Sequence, residues 1–125
     1  MTAITRYPST LPLPFSRATR AGGFLFLSGQ IPMDADGKVV RGDIREQTHA
    51  AIARIKDTLA LANASLADVV RVTVWLADLA QFADFNEAYR EHFPADFPTR
   101  STVEARLALE VDVEIEVQAW VGDRT

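Results

Sequence analysis

Two rhythms of apolar and polar positions run along the chain, and each predicts a kind of element. Ile44, Thr48, Ala51, Ile52, Ile55, Leu59 and Ala62 recur every three or four positions, the spacing of a single helical stripe. Asp43 stands just before that stripe with Glu46 three residues on, the form of a capping box, so a helix opens at Asp43 and Asn63 is its stop signal. A second helix is predicted from about Gln81 to Phe93, with Phe82, Phe85, Tyr89 and Phe93 on its buried side. The other rhythm has period two. Val69 to Asp78 is dense in β-branched residues and predicts a strand with Val70, Val72, Val74 and Leu76 on one face. Residues 99–106 and 111–121 are the last two strands. In the latter, Val111, Val113, Ile115, Val117, Ala119 and Val121 alternate with Asp112, Glu114, Glu116, Gln118 and Trp120. Nearer the N-terminus, residues 17–28 form two short strands around Ala21-Gly22-Gly23, and Phe24-Leu25-Phe26-Leu27 has the unbroken apolar character of a buried strand. Pro8, Pro12 and Pro14 make residues 1–16 irregular, and residues 32–42 are a loop with a small hairpin at Lys38-Val39-Val40.

The resulting order is ββ(β)αβαββ in one domain spanning 1–125. It is an α/β chain of the two-layer α+β kind, with five or six strands in a mixed sheet. Two helices cover one face of such a sheet and not both. The other face carries Thr73, Trp75, Glu114, Glu116 and Trp120, a mixture too apolar for plain solvent, which predicts a homo-oligomer whose sheets pack on one another. With 125 residues, 48% of them hydrophobic, the chain is long enough to hold its own core. The absence of cysteine excludes disulfides, thiolate metal sites and thiol nucleophiles. No apolar run approaches the ~20 residues of a membrane span, and the N-terminus lacks the pattern of a signal peptide, so no membrane partner and a cytoplasmic location are expected. Thirteen basic against seventeen acidic residues, a net charge of −4, argue against a nucleic-acid partner, whose affinity rests on basic side chains meeting phosphates.

Candidate chemistry centres on Phe97-Pro98-Thr99-Arg100. Pro98 fixes its own φ and extends Phe97, so the backbone entering Arg100 has little freedom and the guanidinium fork is presented to a carboxylate. The strand Asp112–Val117 is expected to aim a carboxylate, that of Glu114, into the same space as a general base. Arg100 could equally form an ion pair with Glu104 or Glu116, and acids alternating along a strand commonly face water. Ser28-Gly29-Gln30 reads as a strand end and turn, or as a presenter of backbone N–H groups. His49 and His92 do not cluster with acids at ligand spacing, so no metal site is expected; His49 reads as partly exposed and His92 as complementing a helix dipole. Trp75 and Trp120 read as sheet-face packing, and Tyr89 as a core residue with its hydroxyl satisfied at the rim.

The same residues carry a family resemblance over nearly the whole chain. Pro14-Phe15-Ser16, Phe26-Leu27-Ser28-Gly29-Gln30-Ile31-Pro32, Asp43 with Gln47, and Thr73-Val74 follow in order. Asp78-Leu79 with Phe82, Asn86 and Tyr89, then Phe97-Pro98, Arg100-Ser101, Val103-Glu104 and Val113-Glu114-Ile115-Glu116 complete it. Together they resemble the RidA (YjgF-type) enamine/imine deaminases. The resemblance implies a chorismate-mutase-like fold, a barrel-like homotrimer with active sites between subunits, and no cofactor. It also implies hydrolysis of 2-enamines and 2-imines, such as 2-aminoacrylate and 2-iminobutyrate, to 2-keto acids and ammonia. Arg100 would hold the substrate carboxylate and Glu114 would activate water, with Phe15, Ser28, Gly29, Asn86 and Thr102 lining the pocket. Phe15 replaces a tyrosine usual in that family, Thr102 stands where cysteine is common, and the turn at Ala108-Leu109-Glu110 lacks the usual proline. Those departures leave two alternatives open: a larger catabolic enamine such as 2-aminomuconate, or a non-catalytic metabolite-binding or chaperone-like role.

Overall fold

The computed structural model describes residues 3–124, so what was expected of Met1, Thr2 and Thr125 lies outside the described residues. The Asp43 side chain accepts from the Glu46 N–H at 2.9 Å and the Asp43 N–H donates to Glu46 Oε1 at 3.4 Å, closing the capping box that starts helix α1, Ile44–Ala60. Every residue of its apolar stripe is buried. Asn63, at φ +55°, turns the chain out of the helix, and the Ala64 N–H reaches back to the Leu59 carbonyl at 3.0 Å. No described helix is long and apolar enough to cross a membrane.

Six strands form one mixed sheet: β1 Thr5–Pro8, β2 Ser16–Ala21, β3 Phe24–Leu27, β4 Val69–Leu76, β5 Thr99–Glu104 and β6 Val113–Trp120, in the order β1-β2-β3-β6-β4-β5. Only the edge pair β4–β5 is parallel, joined through helix α2, Phe82–His92. The expectation of an irregular N-terminal stretch is corrected at Thr5–Pro8, which pairs with β2. Pro8 is tolerated because it ends an edge strand at a register shift, where a missing N–H breaks no ladder.

Three further expectations change once the strands are registered. Phe24-Leu25-Phe26-Leu27 is buried on one face only: Leu25 and Leu27 enter the core while Phe24 and Phe26 stay about two-fifths exposed. Val70 leaves the core face because a register irregularity separates Val69, opposite Ala119, from Arg71, opposite Gln118, so Val69 is buried in its place. Phe82, the first residue of α2, is exposed, and its ring lies 5.5 Å from the Arg100 guanidinium carbon instead of in the core.

The sheet has two unlike faces. Val72, Val74 and Leu76 of β4 and Val113, Ile115 and Val117 of β6 point to the helices and are buried. Thr73, Trp75, Glu114, Glu116 and Trp120 lie on the other face, as the alternation predicts, joined by Phe24, Phe26 and Val103. There Phe24 meets Trp120 edge-on, at 4.9 Å between ring centroids.

Gln47, 4% exposed, ties the first turn of α1 to the entrance of β6. Its amide nitrogen donates to the Gly42 carbonyl and to Asp112 Oδ2, both at 2.9 Å, and its oxygen accepts from the Asp112 N–H at 2.8 Å. Gln47→Ala leaves those groups without partners and is expected to cost about 2–4 kcal/mol in urea unfolding, against under ~0.5 kcal/mol for an exposed control such as Lys56→Ala. Equal midpoints for the two variants would refute that role.

Candidate functional site

Two separate clefts hold all of the expected site residues except Thr102. The larger, about 530 Å³, lies where β3 and β6 part, and it is lined by Phe15, Ser28, Gly29 and Glu114 among others. The separation is built into the pairing: Phe26 opposes Gln118, but the next bridge joins Gln30 to Ile115, so an extra residue is looped out around Ser28-Gly29. Glycine leaves room there for the Glu114 carboxylate, which a methyl on Gly29 would push aside. The Ser28 hydroxyl is committed to the Ser16 carbonyl at 2.7 Å. Phe15, Leu11, Leu13 and Leu109 supply an apolar wall. Leu109 and Glu110 both sit at positive φ, near +59° and +56°, a costly arrangement for side-chain-bearing residues that Arg41 braces by donating to the Leu109 carbonyl at 2.7 Å.

Glu114 is half-buried in this cleft. Burial raises its proton affinity above the usual carboxylate range, and the neighbouring charge of Glu116 adds to the effect.

The smaller cleft, about 220 Å³, is lined by Asn86, Tyr89, Arg90, Phe97, Pro98 and Arg100. Arg100 is held on all sides there. Its Nη2 donates to Asn86 Oδ1 at 2.8 Å, and its guanidinium carbon lies 4.8–5.5 Å from the ring centres of Phe82, Phe85 and Tyr89. Among the described residues it has no carboxylate partner, so the ion pair with Glu104 or Glu116 does not form; Glu104 instead accepts from the Leu79 N–H at 2.9 Å. The Tyr89 hydroxyl is buried rather than at the rim, makes no hydrogen bond of good geometry among the described residues, and has the Arg100 guanidinium as its polar neighbour. Burial raises this phenol above its ordinary range, partly offset by the Arg100 charge. Thr102 is half-buried further along β5 and lines neither cleft.

The expectation that Arg100 and Glu114 share one space within the chain is corrected by register. Arg100 pairs with Val72 on the helix-covered face, whereas Glu114 pairs with Trp75 on the open face. Their backbones lie three residues apart along the strands and two strands apart across the sheet, roughly 10 Å in each direction. Two residues that the sequence reading passed over also line the larger cleft, Arg17 and Arg54. Arg54 falls on the shoulder of the helical stripe, between Ile52 and Ile55, and Arg17 precedes the buried Ala18; a cation flanked by core positions is the signal that could have found them. The two histidines come together. His49 Nδ1 and His92 Nε2 are 2.7 Å apart across the α1–α2 seam, and burial, then Lys56 and His49, lower the proton affinity of His92 against an opposing pull from Glu91.

Comparison with known proteins places this geometry in context. A family model described as Endoribonuclease L-PSP matches residues 9–121. A RutC family protein of Pyrococcus abyssi is 49% identical over 109 residues, 86% of each chain. The chloroplastic Reactive Intermediate Deaminase A of Arabidopsis thaliana is 38% identical over 105 residues, 82% of this chain and 56% of that one. The crystal structure of YyfA from Yersinia pestis, described as a protein of unknown function of the conserved Rid family, superposes with a TM-score of 0.88 at 34% identity, covering 95% of this chain and 100% of that one.

A raised Glu114 proton affinity has a definite sign in stability. The folded state holds that proton more tightly than the unfolded chain, so the contribution is present below the ordinary glutamate range and is lost as pH rises through the folded-state value. Glu114→Gln is therefore expected to gain stability relative to wild type as pH goes from about 4 to about 7. Parallel stability curves for the two proteins over that range would contradict the assignment.

Proposed function

Because the chain belongs to the Endoribonuclease L-PSP family, that of the YjgF, RutC and Rid proteins, we propose that it hydrolyses 2-imino acids and their 2-enamine tautomers to 2-keto acids and ammonia, at a site completed by a second copy of itself. The observation that carries this reading is the division of the site: a free, aromatic-stacked arginine in one cleft and a half-buried carboxyl of raised proton affinity in another, on opposite sides of the sheet. The Arg100 cleft has no acid among its lining residues, and the Glu114 cleft does not contain Arg100. The relative named Reactive Intermediate Deaminase A supports the reaction class.

In the chemistry that follows, Arg100 takes the substrate carboxylate through its planar fork, with the Tyr89 hydroxyl beside it. An enamine first tautomerises: its β-carbon gains a proton and its nitrogen gives one up, leaving the imine. A water oxygen then bonds to the imine carbon, the C=N π pair passes to nitrogen, and Glu114 takes the water proton. The same carboxyl returns that proton to nitrogen to complete the carbinolamine. The carbinolamine hydroxyl proton then passes through Glu114 to nitrogen as the C–N bond breaks, its electron pair leaving with ammonia while the O–H pair closes the keto C=O. The imine carbon is already electrophilic, so positioning and proton transfer suffice; general base action of this kind contributes about 10²–10⁴-fold.

A homotrimer is the assembly we propose. The exposed face bearing Phe24, Phe26, Val103 and Trp120 gives a second copy an apolar surface to cover. Cyclic symmetry then sets each Arg100 cleft against a neighbour's Glu114 cleft. The small, partly apolar clefts and the net charge of −4 favour a small acid over RNA as substrate.

Arg100→Ala and Glu114→Gln are each expected to lower keto-acid release from freshly generated 2-iminobutyrate by about 100-fold or more. Mixed trimers formed by co-expressing the two variants are expected to regain about one quarter of wild-type activity, because each site draws each residue from a different copy with even odds. Full activity in Arg100→Ala alone would sink the carboxylate anchor. A mixture of folded, trimeric variants that stays inactive would sink the shared site.

A further inference from the structure

The Glu114 cleft contains more positive charge than the reaction above uses. Arg54, half-buried on α1, donates through Nε to Gln30 Oε1 at 3.0 Å. Gln30 is a fixed acceptor: it is 6% exposed, its amide nitrogen is bound to the Ser28 carbonyl at 3.2 Å, and its backbone bridges to Ile115. Arg17 donates through Nε to the Thr58 hydroxyl at 2.8 Å, and Thr58 is 1% exposed. Each guanidinium is thus pinned through one nitrogen by a neutral partner.

Among the described residues neither has a carboxylate within ion-pair distance, whereas the surface arginines Arg45 and Arg124 are paired with Asp84, Glu87 and Asp68. The two cations are also close enough to oppose each other: burial, then the Arg17 charge, lowers the proton affinity of Arg54, against a smaller opposing pull from the exposed Asp57 on the next turn of α1. Glu114 is the one acid among the residues lining the cleft, and neither arginine figures among the groups that shift its proton affinity. Two oriented, mutually repelling cations in a partly apolar cleft call for an anion from outside the chain.

We infer that Arg17 and Arg54 form a second anion subsite that selects 2-imino acids bearing a distal carboxylate, the imines of amino dicarboxylic acids. This rests on the deaminase reading of the cleft. The α-carboxylate goes to Arg100 of one copy, the C=N bond lies at Glu114 of another, and the distal carboxylate reaches the arginine pair behind Glu114. Its binding relieves the repulsion between the two guanidinium groups and adds charge-assisted hydrogen bonds, the stronger class of such contacts.

The test pairs ligand binding with turnover. Calorimetry on the intact protein is expected to show glutarate binding about tenfold to a hundredfold more tightly than butyrate, with Arg17→Gln and Arg54→Gln each erasing most of that gap and Arg54→Lys keeping part of it. The imine generated in situ from glutamate is expected to show the same advantage in kcat/KM over that from 2-aminobutyrate. Thermal melts confirm folding of each variant, and the two positions are read independently. Turnover of 2-iminobutyrate with no preference for the diacid, or a preference that survives both substitutions, overturns the subsite. Arginine-dependent glutarate binding with no turnover of either imine leaves the subsite standing and removes the deaminase reading.

Discussion

Strand register on β6 is the constraint from which the rest of the structure follows. With Ile115 opposite Val74 and Val117 opposite Val72, every odd-numbered residue from Val113 to Ala119 enters the core, and every even-numbered one must leave it. A slip of one residue would bury Glu114, Glu116 and Gln118 and expel four apolar side chains, an exchange no half-buried sheet survives. The same parity passes through β4 to β5 and sends Arg100 to the helix side. The apolar pattern that stabilises the sheet therefore also divides the anchor from the base.

Local devices hold that register in place. The bulge around Val70 lets β4 enter the sheet from the loop after α1 while keeping Val72, Val74 and Leu76 in phase. Gln47 holds the Asp112 backbone and side chain just before β6 begins, tying the first turn of α1 to the start of that strand. The looped-out Ser28-Gly29 segment opens the cleft without breaking the sheet, because Gln30 resumes pairing with Ile115 in both directions, at 2.8 and 3.0 Å. The Gln47 and Gln30 contacts are polar interactions in a buried setting, where a missing partner costs more than the bond itself contributes.

Charge is distributed by a related logic. Arg45 and Arg124 on the outer surface meet acids, while Arg17, Arg54 and Arg100, all turned toward clefts, meet hydroxyls, amides and aromatic rings. Neutral partners orient a guanidinium and leave its charge available to a ligand; an acid would neutralise it. Glu114 is treated in the opposite sense, left among apolar groups and beside another acid so that it holds its proton more readily. Cations kept charged and a carboxyl biased toward its neutral form suit small anionic substrates that must both be held and exchange protons.

How much of this was legible beforehand differs by element. Helix α1, its cap, the Asn63 stop and the core face of β6 could be read from spacing, because local periodicity and capping are short-range properties. Family resemblance pointed to Arg100, Glu114, Phe15, Ser28, Gly29 and Asn86, and these do line clefts, although Thr102 does not. Strand β1, the Val70 bulge, the half exposure of Phe24 and Phe26, and the His49–His92 contact could not be read, since each depends on which strand or helix lies alongside. The chain by itself determined which residues must be buried and where its elements begin and end. Only the tertiary structure decided that Arg100 and Glu114 face away from each other and that Arg17 and Arg54 converge, because both facts come from pairing partners distant in sequence, and no local period encodes them.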